Sequence, residues 1–339
     1  MMADFESVTI REVALRAGVS IATVSRVLNH HSSVTASTEQ RVRSAMEELG
    51  YSRNEVARSL KVRQTRTIGI IAPELSNPYF MEVVEAMDRI IAAAGYTMII
   101  CSSNDSLAEE KRKLQVLIER NVDAVVVIPC SDQGGHFHAK ALEGVPIVMV
   151  DRKVDGLDVD MVLTDNRWGV RSAMAALVAE GFKRVGFIGG DVRIYTARER
   201  LQGYLEAMET AGLPVERDFV LLNGVMNVAA GRQLIAHALS LPNHPEAFFI
   251  ANNSLHVGAT AYLMEHLSPE RRERLVFASF DYLSYAPLLH FCHYAVSQPL
   301  DHIGHEVATL LLRRLAKDYG DYPKQIVLKP EIKVLTSPS

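Results

Sequence analysis

From Thr67 onward, short apolar runs alternate with amphipathic stretches of helix length, and the alternation comes in two series. The first series is "TIGIIAP", "TMIICSS", "DAVVVIP" and "PIVMVD", separated by segments such as 79–95 and 107–121. The second is "RVGFIGG", "FVLLNG", "AFFIANN" and "LVFASFD", with 197–211 and 254–267 among its spacers. Such βαβα alternation predicts parallel sheets covered by helices on both faces. Two series predict two lobes, each a doubly wound parallel sheet, in an α/β body. The break falls near "LTDNRWG", and "YAVSQP" and "QIVLKPEIKVLTS" are placed to cross back between lobes. The expected body spans 67–339. Its first lobe is about 67–165 plus a return near 295–323, and its second about 166–294 plus 324–336.

The first sixty residues carry helix signals and no strand signal. Thr9-x-x-Glu12 is a capping box, with hydroxyl and carboxylate each satisfying a free N–H at a helix start. Ile10, Val13, Ala14 and Ala17 share one face, and Gly18 ends the helix. Ser20 caps a second helix whose Val24, Val27 and Leu28 point back at the first. Ser37-x-x-Gln40 reads as another capping box, opening a third helix with Val42, Ala45, Met46 and Leu49 inward and Gly50 closing it.

Charge separates this head from the body. Residues 1–66 hold ten Lys/Arg against seven Asp/Glu, leaving 26 against 33 for the rest of a chain whose net charge is -4. A basic head on an acidic body points to a polyanion partner for one part only. With 48% hydrophobic and 22% charged residues the chain is of globular and not disordered composition. No apolar stretch approaches the ~20 residues that cross a bilayer. The start "MMADFESVTI" lacks a basic-then-apolar secretory pattern. Cys101, Cys130 and Cys292 form no CxxC pair and read as reduced core thiols. The expectation is a cytoplasmic protein with no membrane partner.

Two short helices around a glycine turn form either a generic helical hairpin or a helix-turn-helix, whose second helix enters the DNA major groove. The outward face of Ser20–Asn29 separates the two readings. It holds Ser20, Ile21, Ala22, Ser25, Arg26 and Asn29, without the Glu and Lys of a merely solvated helix. Arg26 can donate two hydrogen bonds to a guanine edge, and Ile21 and Ala22 can touch thymine methyls. Thr9, Ser20 and Thr23 hydroxyls, with the helix N-terminus at Ile10, suit phosphates. The runs "TIREVALRAGVSIATVSRVLN", "VTASTEQRVRSAMEELGY" and "NEVARSLK" resemble the N-terminal headpiece of the lac-repressor (LacI/GalR) family of transcription regulators. The body resembles the same family's effector domain, which is similar to periplasmic sugar-binding proteins. "VARSLK", "SNPYF" and "SQPLDHIG" bring it nearest the ribose- and purine-repressor branch.

The resemblance divides the chain into a headpiece, 1–53, a hinge helix and linker, 54–66, and the body. Asn54 can cap a helix of about eight residues, too short to persist alone in water. Such a segment is either a plain linker or, as the family implies, a helix that folds on operator DNA. In the second case Ala57 and Leu60 meet the minor groove, Leu60 wedging between base pairs, while Lys61, Arg63 and Arg66 neutralise phosphates.

In a two-lobed body the ligand sits where strand ends face one another. Asn77, Tyr79, Phe80, Asp151, Arg152, Arg200, Asn252, Asp281 and Gln298 follow apolar runs or open helices there. The resemblance assigns ligand contacts to Asp151, Arg152, Arg200, Asn252, Asp281 and Gln298 through "VDRK", "RERLQGY", "ANNS", "SFD" and "SQP". Two departures bear on the ligand. Asn252-Asn253 stands where the family usually reads Asn-Asp, and Met226 stands where a stacking aromatic is usual. The segment "GGDVRIYTARER" could receive a phosphate or carboxylate through Arg193, Arg198 or Arg200. The expected effectors are, in order, a sugar, a sugar phosphate and a sugar acid, with a nucleobase or other small-metabolite corepressor as the alternative.

An enzyme and a transporter's solute-binding protein are the rival classes. No GxGxxG, Walker, HExxH or GxSxG pattern is present, and His136 and His138 read as a solvated loop. No catalytic residue, metal site or cofactor is expected. The expected molecule is a ligand-responsive regulator, a repressor, binding double-stranded, near-palindromic operator DNA as a homodimer. A chain stopping soon after "KVLTS" lacks the leucine-rich tail of tetrameric relatives, which favours the dimer.

Overall fold

The computed structural model describes residues 8–28, 31, 33–51, 64–138, 140–282 and 292–335. Contacts divide the chain into two units, Met1–Thr65 and Arg66–Ser339. In the first, α1 (Ile10–Ala17), α2 (Ile21–Leu28) and α3 (Ala36–Leu49) enclose a small apolar centre of Val13, Ala14, Ala17, Val24, Val27, Val42 and Ala45. The Thr9–Glu12 capping box forms as the spacing predicts, and Gly18 ends α1 at φ 64°. The third helix starts earlier than expected. Thr35, not Ser37, is its N-cap and accepts from the Thr38 N–H, so Ser37 lies inside the first turn. Thr35 has the extended backbone a cap needs (φ -70°, ψ 148°), and its hydroxyl reaches the free N–H first.

The second unit contains two six-stranded sheets. The first orders β11-β5-β4-β3-β1-β2, from β1 (Thr67–Ala72), β2 (Thr97–Ser102), β3 (Ala124–Val127), β4 (Ile147–Val150), β5 (Asp160–Thr164) and β11 (Gln325–Leu328). The second orders β12-β10-β9-β8-β6-β7, from β6 (Val185–Gly189), β7 (Val220–Leu222), β8 (Ala247–Ile250), β9 (Val276–Phe280), β10 (Cys292–Ser297) and β12 (Glu331–Val334). Every pairing is parallel except β10 with β12. The crossings between lobes fall later than expected. All of β10 lies in the second sheet, so the return to the first lobe begins after Ser297, within the "YAVSQP" stretch and two residues beyond 295. Strand β11 belongs to the first sheet, so the final passage to the second lobe follows Leu328 rather than residue 323.

Helices α4 (Pro78–Ala93) and α11 (Leu300–Leu315) pack together on the first sheet, α5 (Leu107–Glu119) packs against that sheet through Leu114 and Leu117, and the short α10 (Pro269–Arg272) precedes β9. Arg314 anchors α11 to that sheet, its Nε and second nitrogen reaching the buried Asp160 carboxylate at 2.7 and 3.0 Å. Asp160 also accepts from the Lys324 N–H, which brings β11 alongside β5. Helices α6 (Asn166–Ala179), α7 (Tyr195–Thr210), α8 (Val228–Ser240) and α9 (Asn253–His266) cover the second sheet. Between α8 and α9 the backbones approach so closely that a Cβ on Gly231 would lie 2.1 Å from Leu255 O. One on Gly258 would lie 2.0 Å from Val228 O.

Candidate functional site

Strands β4 and β9 occupy the same third place in their sheets, and each ends in an aspartate in the left-handed region, Asp151 at φ 64° and Asp281 at φ 70°. Asp tolerates this conformation better than most side chains. The matched turns bring both carboxylates to the seam between the lobes, where they join one polar network. Tyr79, from the first turn of α4, places its hydroxyl 3.1 Å from Asp151 Oδ1 and 3.4 Å from Gln298 Oε1. Thr164, ending β5, donates to the same Gln298 oxygen. Gln298 Nε2 donates to Asp281 Oδ1 at 2.6 Å. Gln298 sits just beyond β10, where the chain leaves the second lobe, so its amide ties the lobes at their crossing.

Arg200 enters from α7. Its guanidinium stacks 3.7 Å over the Phe280 ring, donates to Asn166 Oδ1 and Ala251 O at 2.8 and 2.7 Å, and lies 3.8 Å from Asp281. Burial raises the Asp281 carboxyl above its ordinary range; Arg200 and Gln298 oppose that shift, and Asp151 adds to it. Burial, followed by the two aspartates, likewise holds the Tyr79 phenol well above its ordinary value. Tyr79 is thus a neutral donor beside two acceptors.

The remaining expected residues are placed differently. Arg152 is buried but turned to Asp105 (2.8 Å) and Pro129 O (3.2 Å), with Asp151 at 3.8 Å. Phe80 is spent on the first lobe's apolar core, edge-to-face with Tyr79 at 5.2 Å. Asn77 caps α4 through the Tyr79 N–H. Asn252 caps α9 and donates to Met226 O, and the Met226 side chain packs over the Gly190 backbone. Arg193 is exposed and paired with Asp191, while Arg198 reaches Val192 O and lies 3.8 Å from Asp155. His136 is not in a solvated loop as expected. Its Nε2 lies 2.9 Å from the fully buried Glu110, because that carboxylate needs a partner. Thr164, Asn166 and Asn253 were not expected at the seam. Asn253 was visible only as a departure from a motif, and the other two carry no sequence signal beyond standing at a strand end and a helix start.

In the head, Ser20 Oγ accepts from the Thr23 N–H at 3.1 Å and contacts the Thr23 hydroxyl at 2.9 Å. Ser20, Ile21, Ala22 and Arg26 are exposed on α2, Ser25 and Thr23 are half-buried, and Thr9 is exposed beside the half-buried Ile10. Asn29, Asn54, Ala57, Leu60, Lys61 and Arg63 lie outside the described residues.

Comparison with known proteins agrees with both units. Residues 9–54 match the model of bacterial regulatory proteins of the lacI family. Residues 65–314 match that of periplasmic binding proteins and the sugar binding domain of the LacI family. The transcriptional repressor PurR of Proteus mirabilis is 32% identical over 317 residues, covering 92% of each chain. Among solved structures, the CelR–cellobiose complex is 27% identical with a TM-score of 0.70, covering 96% of this chain and 98% of that one. The lac repressor dimer bound to operator and the anti-inducer ONPF shares the fold at TM-score 0.85 and 22% identity, covering 98% and 100%. A helix-turn-helix head on a two-lobed binding body, matched over nearly the whole chain, makes this protein a member of the LacI family: a DNA-binding transcriptional regulator with an effector-binding domain.

Proposed function

We propose that the protein is a cytoplasmic repressor whose homodimer binds a near-palindromic operator and whose effector is a neutral sugar held at the interlobe seam. One observation carries the choice of effector. Asp151 and Asp281 meet Tyr79 and Gln298 at one buried seam, with Arg200 beside them. Carboxylates and amides in that arrangement suit hydroxyl groups, each of which donates and accepts. The arginines near the seam already face carboxylates: Arg152 faces Asp105, Arg193 faces Asp191 and Arg200 faces Asp281. Among the described residues, a phosphate or sugar acid would meet arginines that each already have a carboxylate within 4 Å, Arg198 with Asp155 included. Met226, where an aromatic would stack, argues against a flat nucleobase.

DNA reading belongs in this account to Arg26, Ile21, Ala22 and Ser25 on the exposed side of α2, with Thr9, Ser20 and Thr23 toward phosphates. Asn29, Asn54, Ala57, Leu60 and Lys61 complete the proposed surface, with Leu60 as the wedge. Ligand that binds the closed lobes better than the open ones shifts their population, and through the linker the DNA-competent fraction.

A thermal-shift screen of the whole protein against sugars, sugar phosphates, sugar acids and nucleobases tests the effector. A ligand at 100 times its Kd adds about 2.7 kcal/mol. A neutral sugar is expected to raise the melting temperature, and Asp151→Asn to remove the rise. A rise given only by phosphorylated sugars or nucleobases contradicts the reading.

A further inference from the structure

Asn253 opens α9 and makes its side-chain bond in the other lobe. Its Nδ2 donates to Asn77 Oδ1 at 3.1 Å, and both residues are buried. The orientation is forced. Asn77 Oδ1 also accepts from the Tyr79 N–H at 3.1 Å, and a backbone N–H can only donate, so the oxygen of Asn77 faces both groups. Residue 253 must therefore present hydrogens. The other side-chain atom of Asn253, Oδ1, is buried and without a hydrogen-bond partner. The amide is thus held through its donor alone. The Asn253 backbone N–H meanwhile lowers the Asp281 pKa, so one residue bonds the first lobe with its side chain and acts on the seam's carboxylate through its backbone.

We propose that Asn253 is the closure-setting residue of the ligand cleft: an amide latch to Asn77 that holds the lobes together before any ligand enters. The inference rests on the reading of this seam as the effector cleft, but the latch itself needs no ligand. Its chemistry is asymmetric. An aspartate at 77 would keep an oxygen for both the Tyr79 N–H and the Asn253 amide. An aspartate at 253 would lose the donor and set a carboxylate against Asn77 Oδ1, close to Asp281. Among the described residues, the titratable groups around this point are Tyr79 on α4, Asp151 after β4, Arg200 on α7, Asp281 after β9 and His256 one turn along α9. Two carboxylates already press on one another there, so a third is tolerated only when protonated, and the protonated acid regains a donor.

The test is hydrogen exchange on the whole ligand-free protein, read at segments 77–84 and 253–258 and corrected for intrinsic rates. Asn253→Asp is expected to exchange at least about tenfold faster there than wild type near pH 8 and to regain protection near pH 5. Asn77→Asp, which adds the same charge but keeps an acceptor for both donors, is expected to lose less protection near pH 8 than Asn253→Asp. Asn253→Ala, which carries no charge, is expected to lose protection at the same segments without recovery in acid. Wild-type protection in both 253 variants near pH 8, or equal opening in Asn77→Asp and Asn253→Asp, overturns the latch. Failure of every sugar to bind, with this exchange pattern intact, removes the effector reading and leaves the latch standing.

Discussion

Arg26 is exposed on α2 between Ser25 and the buried Val27, and it shows how much one side chain can decide. A guanidinium reading a guanine edge discriminates between sequences, whereas one resting on a phosphate binds all DNA alike. Arg26→Ala is expected to cost about 1–3 kcal/mol on the cognate operator and little on random-sequence DNA, measured by fluorescence anisotropy. Equal losses on both would make it a phosphate contact. The cleft shows the same dependence on single side chains, and there the residue types were legible while their partners were not. Asp151, Asp281, Tyr79, Arg200 and Gln298 stand at strand ends and helix starts, where the topology of an α/β fold puts ligand contacts. Arg152 was equally well placed in the sequence, yet Asp105 and Pro129 O turn it aside by accepting from its Nη1, and its buried Nε has no hydrogen-bond partner. Phe80 and Tyr79 are neighbours with different fates: one fills the core and the other carries a hydroxyl that must find a partner. No pattern in one sequence distinguishes those outcomes.

At the scale of elements, local chemistry located starts and stops wherever the cap was unambiguous. Thr9 and Gly18 bracket α1 as expected, but at α3 two hydroxyls competed and the earlier one, Thr35, took the helix. Packing between helices was illegible, because Gly231 and Gly258 look like ordinary helical glycines until α8 and α9 are seen in contact. A methyl at either position meets a carbonyl oxygen near 2 Å. Gly258→Ala is expected to destabilise the protein by about 1–3 kcal/mol, measured in urea melts, through separation of the two helices. No loss would mean that α8 and α9 shift apart freely.

Helix α9 also buries His256, whose pKa is pushed down to about 4 by desolvation, with His293 adding to the effect. Its unfolded-state value near 6.5 makes the sign plain. Above that pH both states are neutral and the stability is complete. As pH falls below it the unfolded chain takes up the proton that the folded chain refuses. Stability is expected to drop by roughly 2 kcal/mol between pH 7 and pH 5 from this group alone. His256→Leu should flatten that acid limb in urea melts at the two pH values. An unchanged slope would assign it elsewhere.

For the whole molecule, two runs of βαβα alternation were enough to predict two lobes, since buried parallel strands announce themselves as uninterrupted apolar runs. The crossings were harder to place. Strands β11 and β12 are short, partly exposed and separated by Lys329 and Pro330, so their composition does not say which sheet each joins. The Asp160–Arg314 pair and the Lys324 N–H decide it, and these are contacts across more than 150 residues. The polar seam is a product of those same crossings, since Gln298 can tie Asp281 to Tyr79 and Thr164 only where the chain passes between lobes. If the seam is the effector site, its occupancy governs DNA binding. The most direct measurement is the Kd for an operator selected by the purified protein from genomic fragments, taken with and without saturating effector, for wild type and for Asp281→Asn. A shift of at least about tenfold, or 1.4 kcal/mol, is expected in wild type and none in the variant. An equal shift in both proteins, or no shift in wild type with a ligand that demonstrably binds the body, would separate the seam from control of DNA binding.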